Sequence, residues 1–172
     1  MKITFRYGRA DKRSWLTTLA VLAIIGGGLA MLFVRAEGAY YIAVWATALC
    51  VALVTLLLFS KPTRIILDND TLELRCVLDT TILPIDSIVD IVSLGDCGFD
   101  HKIPLCGSCG FLGYFGRYIT LKGGHVYRVY ATTRKHCVAI HTTRRRYLIS
   151  CRNADLLVSL VLDTRARNAK EK

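Results

Sequence analysis

Residues 14–34 read SWLTTLAVLAIIGGGLAMLFV and residues 38–60 read GAYYIAVWATALCVALVTLLLFS, with only Arg35, Ala36 and Glu37 between them. An α-helix rises about 1.5 Å per residue, so each run matches the ~30 Å apolar thickness of a bilayer. A two-helix transmembrane hairpin follows from this stretch, carrying a soluble remainder. Neither run contains Asp, Glu, Lys, Arg or His. The spans therefore offer no proton relay or ion site, which speaks against transport.

Charge on either side of the spans sets the expected orientation. Residues 1–13 carry Lys2, Arg6, Arg9, Lys12 and Arg13 against Asp11, and Lys61 and Arg64 follow the second run, whereas the connecting turn has no net charge. Positive charge gathers on the cytoplasmic side. Residues 1–13 are thus expected to be a basic cytoplasmic tail. Both termini and the soluble part should face the cytoplasm, and the spans should lie in the inner membrane. A cleaved signal peptide fits less well, because the first run exceeds the usual apolar length of about 7–15 residues and a second run follows at once. Trp15, Tyr40, Tyr41 and Trp45 stand where interfacial aromatic anchors stand. Small residues recur four apart, Ala23 with Gly27, Gly26 with Ala30, Ala39 with Ala43 and Ala48 with Ala52. Such spacing lets backbones approach closely. It predicts packing of the two helices on each other, with self-association between chains as the alternative.

The 112 residues from 61 onward suffice for one domain, since domains most often hold about 100–150 residues. We expect it over 61–165, with a disordered tail over 166–172. Residues 63–68 and 71–78 flank a turn at Asp68, Asn69 and Asp70, and the second run alternates Leu72, Leu74 and Cys76 against Glu73, Arg75 and Val77, as a strand does. Further strands are predicted over 87–94, 116–121, 126–132, 137–143 and 146–151, with a long loop over 95–115. The period then changes. Asn153 suits an N-cap, Asp155 suits the positive helix start, and Leu156, Leu157, Leu160 and Val161 form one stripe of a helix of about three turns.

Seven antiparallel strands and one C-terminal helix are the order of a pleckstrin-homology-like (PH-like) barrel, and the residues carry a resemblance as well. Ile65-Ile66-Leu67-Asp68-Asn69-Asp70-Thr71-Leu72-Glu73-Leu74, Ile82-Leu83-Pro84-Ile85-Asp86-Ser87-Ile88 and the run Gly107 to Gly116 resemble the bacterial PH-domain proteins, in which the domain follows one or two membrane spans. The resemblance covers about 64–162. It implies a membrane-tethered PH-like module and supplies no catalytic residues. The chain departs from the family in having Cys106 and Cys109 among the glycines.

Seven cysteines in a reducing compartment do not imply disulfides. Cys97, His101, Cys106 and Cys109 nevertheless put four soft ligands into 13 residues of a glycine-rich loop. Zinc accepts such a Cys3His set tetrahedrally, and Cys106 with Cys109 is also a candidate redox pair. Only one C-x2-C is present, and cysteine serves often as a small hydrophobe. A metal-binding or redox-sensing module is therefore the alternative reading, with zinc as its cofactor, while the leading reading needs none.

Gly107, Gly110, Gly113 and Gly116 recur every third residue, interleaved with Phe111, Tyr114 and Phe115. No Lys-Ser/Thr and helix start follow, so this is not a phosphate-cradling loop. The glycines suit positive-φ backbone or close packing, and the aromatics suit a core edge or a docking surface for a protein partner.

The soluble part is electrically uneven: residues 61–100 hold three basic and eight acidic residues, whereas 101–172 hold fourteen and three. Arg134, Lys135, Arg144, Arg145 and Arg146 are candidates for a protein partner or anionic headgroups, although successive turns of a meander lie at opposite strand ends. Asp68 and Asp70 in the first hairpin repel phosphate, so no specific phosphoinositide site is expected. Much of the net +10 is the N-terminal topology signal, and no nucleic-acid recognition element is evident. Ser87, His101, His125, His136 and His141 lack the context of a catalytic motif. The sequence thus points to a non-enzymatic interaction or scaffolding module, with possible self-association.

Overall fold

The computed structural model describes residues 2–8, 11–35, 40–59, 61–77, 79–96, 98–121 and 123–170. Two helices, α1 (Lys12–Arg35) and α2 (Tyr40–Phe59), occupy the apolar runs and are long and apolar enough to cross a membrane. Trp15, Leu16, Ile24, Trp45 and Leu49 are each more than half exposed. Helices that are apolar all round and left uncovered by their own chain call for an apolar surrounding. The two pack on each other and Ala43 is buried. A methyl group added at Gly26, Gly27 or Gly28 would meet nothing within 4 Å. The close approach expected at Gly26 and Gly27 is therefore not made, and Ala39 lies outside the described residues.

Ten strands are present among the described residues where seven were expected, and they form two sheets instead of a closed barrel. The first sheet runs β1 (Ile3–Arg6), β2 (Pro62–Leu67), β3 (Thr71–Cys76) and β4 (Thr80–Pro84), antiparallel throughout. A short 3-10 turn, Ile85–Ser87, leads into the second sheet. Its strands are β5 (Ile88–Gly95), β6 (Lys102–Cys109), β7 (Tyr114–Thr120), β8 (Val126–Ala131), β9 (Cys137–Thr142) and β10 (Arg146–Ser150), in the order β5-β9-β10-β8-β7-β6. The additions are β1 in the supposed tail, β4 before the 3-10 turn, and β6 in the supposed loop.

The order also departs from a meander, because β10 lies between β9 and β8 and runs parallel to β8. Tyr147, Leu148 and Ile149 are consecutive and all buried. A strand without alternation is one covered on both faces, which suits the centre of a sheet. Residues 132–136 step over its end: the Thr132 amide donates to Ser150 Oγ (2.9 Å) and the Cys151 amide to the His136 carbonyl (3.1 Å).

The main core lies between the sheets and includes Ile65, Leu72, Leu74, Ile85, Ile140 and Ile149. It is capped by α3 (Ala154–Lys170), which inserts Leu157 and Val161. Leu156, placed on the apolar stripe by sequence, is half exposed. The helix also runs on through much of the expected tail, tied down where Arg165 Nη1 donates to the Val89 carbonyl (2.9 Å) and Asn168 Nδ2 to the Asn69 carbonyl (3.2 Å). A second core of Tyr114, Tyr118, Val129 and Leu148 lies on the other face of the second sheet, covered by Phe99.

Strand β1 joins the apolar helices to this architecture. It pairs with β2 from Ile3↔Leu67 to Arg6↔Arg64, and Phe5 and Tyr7 enter the main core. The chain leaves the sheet before α1 and re-enters it after α2 beside the same strand.

Candidate functional site

The glycine run builds a tight β-turn on a paired stem. Gly107 and Gly116 are cross-strand partners with φ of +131° and +119°. A methyl group on either would drive into the opposite backbone, at the Phe115 or the Cys106 carbonyl. Only glycine fits such an approach, and the same glycines hide the strand from propensity. At the tip the Gly110 amide donates to the Gly113 carbonyl (2.9 Å).

This tip docks on the start of α1. The Ser14 hydroxyl donates to the Gly110 carbonyl (2.7 Å), Thr17 Oγ1 lies 2.9 Å from the same oxygen, and the Leu112 amide donates to Thr18 Oγ1 (3.0 Å). Positions i, i+3 and i+4 share one helix face, so three hydroxyls in an apolar run form a polar seat. Sequence reasoning passed over them as part of the span. Three hydroxyls at that spacing were the available signal.

Docking changes the role of the aromatics. Tyr114 and Phe115 are 3% and 4% exposed, and Phe111 lines a groove with Val21, Ile25, Cys50 and Leu53 of the helix pair. Of the two roles expected for the aromatics, core edge and docking surface, Tyr114 and Phe115 take the first, while Phe111 stays part-buried against the helix pair.

The cysteine cluster is not assembled as a loop site. Cys97 lies outside the described residues, while Cys106 and Cys109 both sit in β6. Three residues of extended chain span about 10 Å, too far for ligands of one zinc or for a disulfide without backbone movement. Among the described residues no three His, Cys, Asp or Glu side chains converge on a metal-sized site, so His101 gains no such partners either.

The basic residues separate into two places, one before and one after β9 (Cys137–Thr142), so they lie at opposite ends of that strand. Arg134 and Lys135 lie in the link at the end of β8, beside the chain entering α1: Thr132 Oγ1 donates to the Gly8 carbonyl (2.6 Å). The Arg134 guanidinium stacks over Tyr114 at 4.9 Å, a cation–π contact. Arg144, Arg145 and Arg146 lie at the opposite strand ends, a strand length of about 17 Å away at ~3.3 Å per residue.

There they meet two arginines that sequence reasoning did not group with them. Arg117 of β7 and Arg128 of β8 are direct cross-strand partners, and with Val126 and Arg144, Arg145 and Arg146 they line a cleft of about 340 Å³. Like charges directly opposite across strands destabilise. Among the described residues no carboxylate lines this cleft, and none of the five arginines is in an ion pair. Arg146 faces Tyr127 at 6.0 Å. Close by, burial and then the Arg146 charge lower the His141 pKa below its usual 6.5, and its Nε2 lies 3.4 Å from Tyr127 Oη. The grouping depends on strand register, so contiguity in sequence reveals only Arg144, Arg145 and Arg146. Chemically the cleft suits an anion with several oxygens, since guanidinium forks bind carboxylate and phosphate.

No curated protein and no solved structure matches the chain. Residues 63–163 match the bacterial PH domain family. The matched segment covers more than half of the sequence and builds β3 to β10, most of β2 and the first half of α3; the chain belongs to the bacterial PH-domain family.

Proposed function

We propose that this protein is a membrane-anchored interaction module, not an enzyme, and that its PH-like domain faces the cytoplasm and holds an acidic segment of a partner protein in the arginine cleft. The observation that carries this reading is the unneutralised pairing of Arg117 with Arg128 beside Arg144, Arg145 and Arg146. Asp79, which shares a neighbouring cavity with Arg117, and Asp90, which pairs across strands with His141, do not line the cleft, so an acidic segment from outside would relieve the repulsion within it. A protein segment is favoured over a lipid headgroup because Arg144, Arg145 and Arg146 lie at the strand ends away from the turn held by α1, and the cleft extends from them to Arg117 and Arg128 in mid-strand. The two apolar helices supply the anchor, and the basic residues around them support a cytoplasmic domain by the positive-inside rule. Arg134 and Lys135, next to the start of α1, would add diffuse attraction to the anionic inner leaflet, at about 1 kcal/mol per charge near the surface.

The test uses the full chain in nanodiscs and a fluorescent deca-glutamate peptide as probe. Binding should weaken with salt and fall tenfold or more in the triple variant Arg117→Ala/Arg128→Ala/Arg145→Ala. Arg134→Ala/Lys135→Ala should leave it unchanged. Equal binding by the triple variant would remove the cleft from the reading.

A further inference from the structure

We infer that the turn between β6 and β7, residues 108–113, is seated in the apolar edge of the inner leaflet as a third membrane element beside the two helices. The inference rests on the anchor reading above and adds what touches lipid besides the helices.

The first argument is depth. Helix α2 has 20 residues, which at 1.5 Å each is about 30 Å, the hydrocarbon thickness with nothing to spare. Its second half cannot stand clear of the membrane if the helix crosses it. Cys50, Leu53, Val54 and Leu57 of that half, with Val21 and Ile25 of α1, line one groove together with Gly107, Ser108, Cys109 and Phe111. Ser14, Thr17 and Thr18 of the same α1 hold the tip by hydrogen bonds. Leu57, near the helix end, also borders a cavity with Asp79 and Arg117, whereas Cys50, Leu53 and Val54 lie further from that end of α2 and set the depth of the turn that lines the groove with them.

The second argument is composition. Residues 103–116 contain no charged side chain, and Lys102 and Arg117 bound them at the stem. Ile103 and Leu105 are exposed on β6, as are Cys106 and Cys109. In water this is a costly face. Against lipid it is complementary.

The third argument is backbone satisfaction. Irregular backbone survives at membrane depth only where its polar groups find partners in the protein. The Gly110 carbonyl and Leu112 amide are held by α1, and the Gly110 amide bonds the Gly113 carbonyl. Ser108 Oγ donates to the carbonyls of Phe111 and Gly113, and Tyr118 Oη donates to the Ser108 carbonyl. A turn exposed to water would need no such set.

The experiment is a spin-label depth measurement on the full chain in nanodiscs, with a nitroxide at Cys109 and the other cysteines replaced by alanine. Cys109 should give high collision with oxygen and low collision with a water-soluble nickel chelate. Leu49→Cys reports the helix pair, and Arg144→Cys reports water. If Leu49→Cys collides with nickel, the anchor reading falls and this inference with it. If Leu49→Cys is in lipid while Cys109 collides with nickel, the inference alone is overturned. Low collision with both reagents at Cys109 means protein cover, such as a second copy, and also overturns it. Should the single-cysteine background fail to fold, the unaltered chain in nanodiscs can be labelled with a charged maleimide and mapped by mass spectrometry. Cys106, beside Arg117 in the stem, should then react at least tenfold faster than Cys109; equal rates would refute the seating.

Discussion

The Leu112 amide donates to the Thr18 hydroxyl at 3.0 Å across 94 residues of sequence. Leu112 has φ of +58°, a left-handed conformation that non-glycine residues adopt only when their surroundings enforce it. Thr18 supplies part of that enforcement, and its own proton goes to the Ser14 carbonyl (2.7 Å). The shape of the turn therefore depends on a residue of the first helix.

Thr18→Val keeps the side-chain shape and leaves the Leu112 amide unpaired. An orphaned amide costs about 1–3 kcal/mol, so melting of the full chain in detergent should shift down, with faster amide exchange over 110–113. Thr55 donates only to Val51 of its own helix. Thr55→Val should therefore have little effect, and equal shifts for the two variants would deny the docking its role.

The paired glycines of the stem predict a second contrast. Gly116→Ala meets both an unfavourable φ and the Cys106 carbonyl, and destabilisation by about 2 kcal/mol or more is expected from strain of that kind. Gly28→Ala meets nothing within 4 Å and should leave stability near its starting value. Denaturant titration of the two variants checks the difference.

Tyr7 carries a buried hydroxyl with no hydrogen-bond partner among the described residues. Removing such a group relieves a desolvation cost, so Tyr7→Phe should be neutral or stabilising by about 1 kcal/mol. A clear drop in melting temperature would mean that the hydroxyl has a partner after all.

Alkaline pH should weaken the fold through its buried thiols. Burial pushes Cys137 up from 9.0 to about 12, against an opposing pull from Lys102, and burial with the Asp79 charge pushes Cys76 to about 11. Above pH 9 the unfolded thiols ionise while the folded ones stay protonated, so the unfolded chain binds fewer protons and stability falls. The loss should begin near pH 9 and grow toward pH 12. Melting curves between pH 8 and 11 should shift down, and Cys137→Ala should flatten the trend.

Much of the second sheet was legible because alternation and short turns survive in its sequence. The run from Val126 to Ala131 has both, and its predicted and observed bounds differ by one residue. Strand β6 was not legible, since Pro104, Gly107 and the short side chains around them carry little strand propensity. Strand β1 shows the proper alternation of Ile3, Phe5 and Tyr7 against Thr4 and Arg6, but its basic residues read first as a topology signal. The arginine cleft was half legible for a different reason. Arg144, Arg145 and Arg146 are neighbours in sequence, whereas Arg117 and Arg128 join them only through register across two further strands.

A domain cut at residue 61 should be weak on its own. It lacks Phe5 and Tyr7, both buried in the main core; Phe5 alone contributes roughly 1.5–3 kcal/mol, a sizeable share of a domain's total of about 5–15 kcal/mol. The fragment 61–172 should melt well below the full chain, and a synthetic peptide of residues 2–8 should raise its melting temperature in proportion to the logarithm of peptide concentration. No response to the peptide would count against the β1 pairing.

Since β1 and β2 are consecutive strands of one antiparallel pair, both apolar helices amount to the loop of a β-hairpin. β1 leaves the ribosome before β2 and waits about 3–11 s, at about 5–20 residues per second, for its partner to emerge, so on the anchor reading proposed above membrane insertion and sheet formation are coupled in time. On the same reading, pairing also constrains the number of crossings: a single crossing would strand β1 and β2 on opposite faces of the bilayer, so closing this sheet requires the chain to go out and come back.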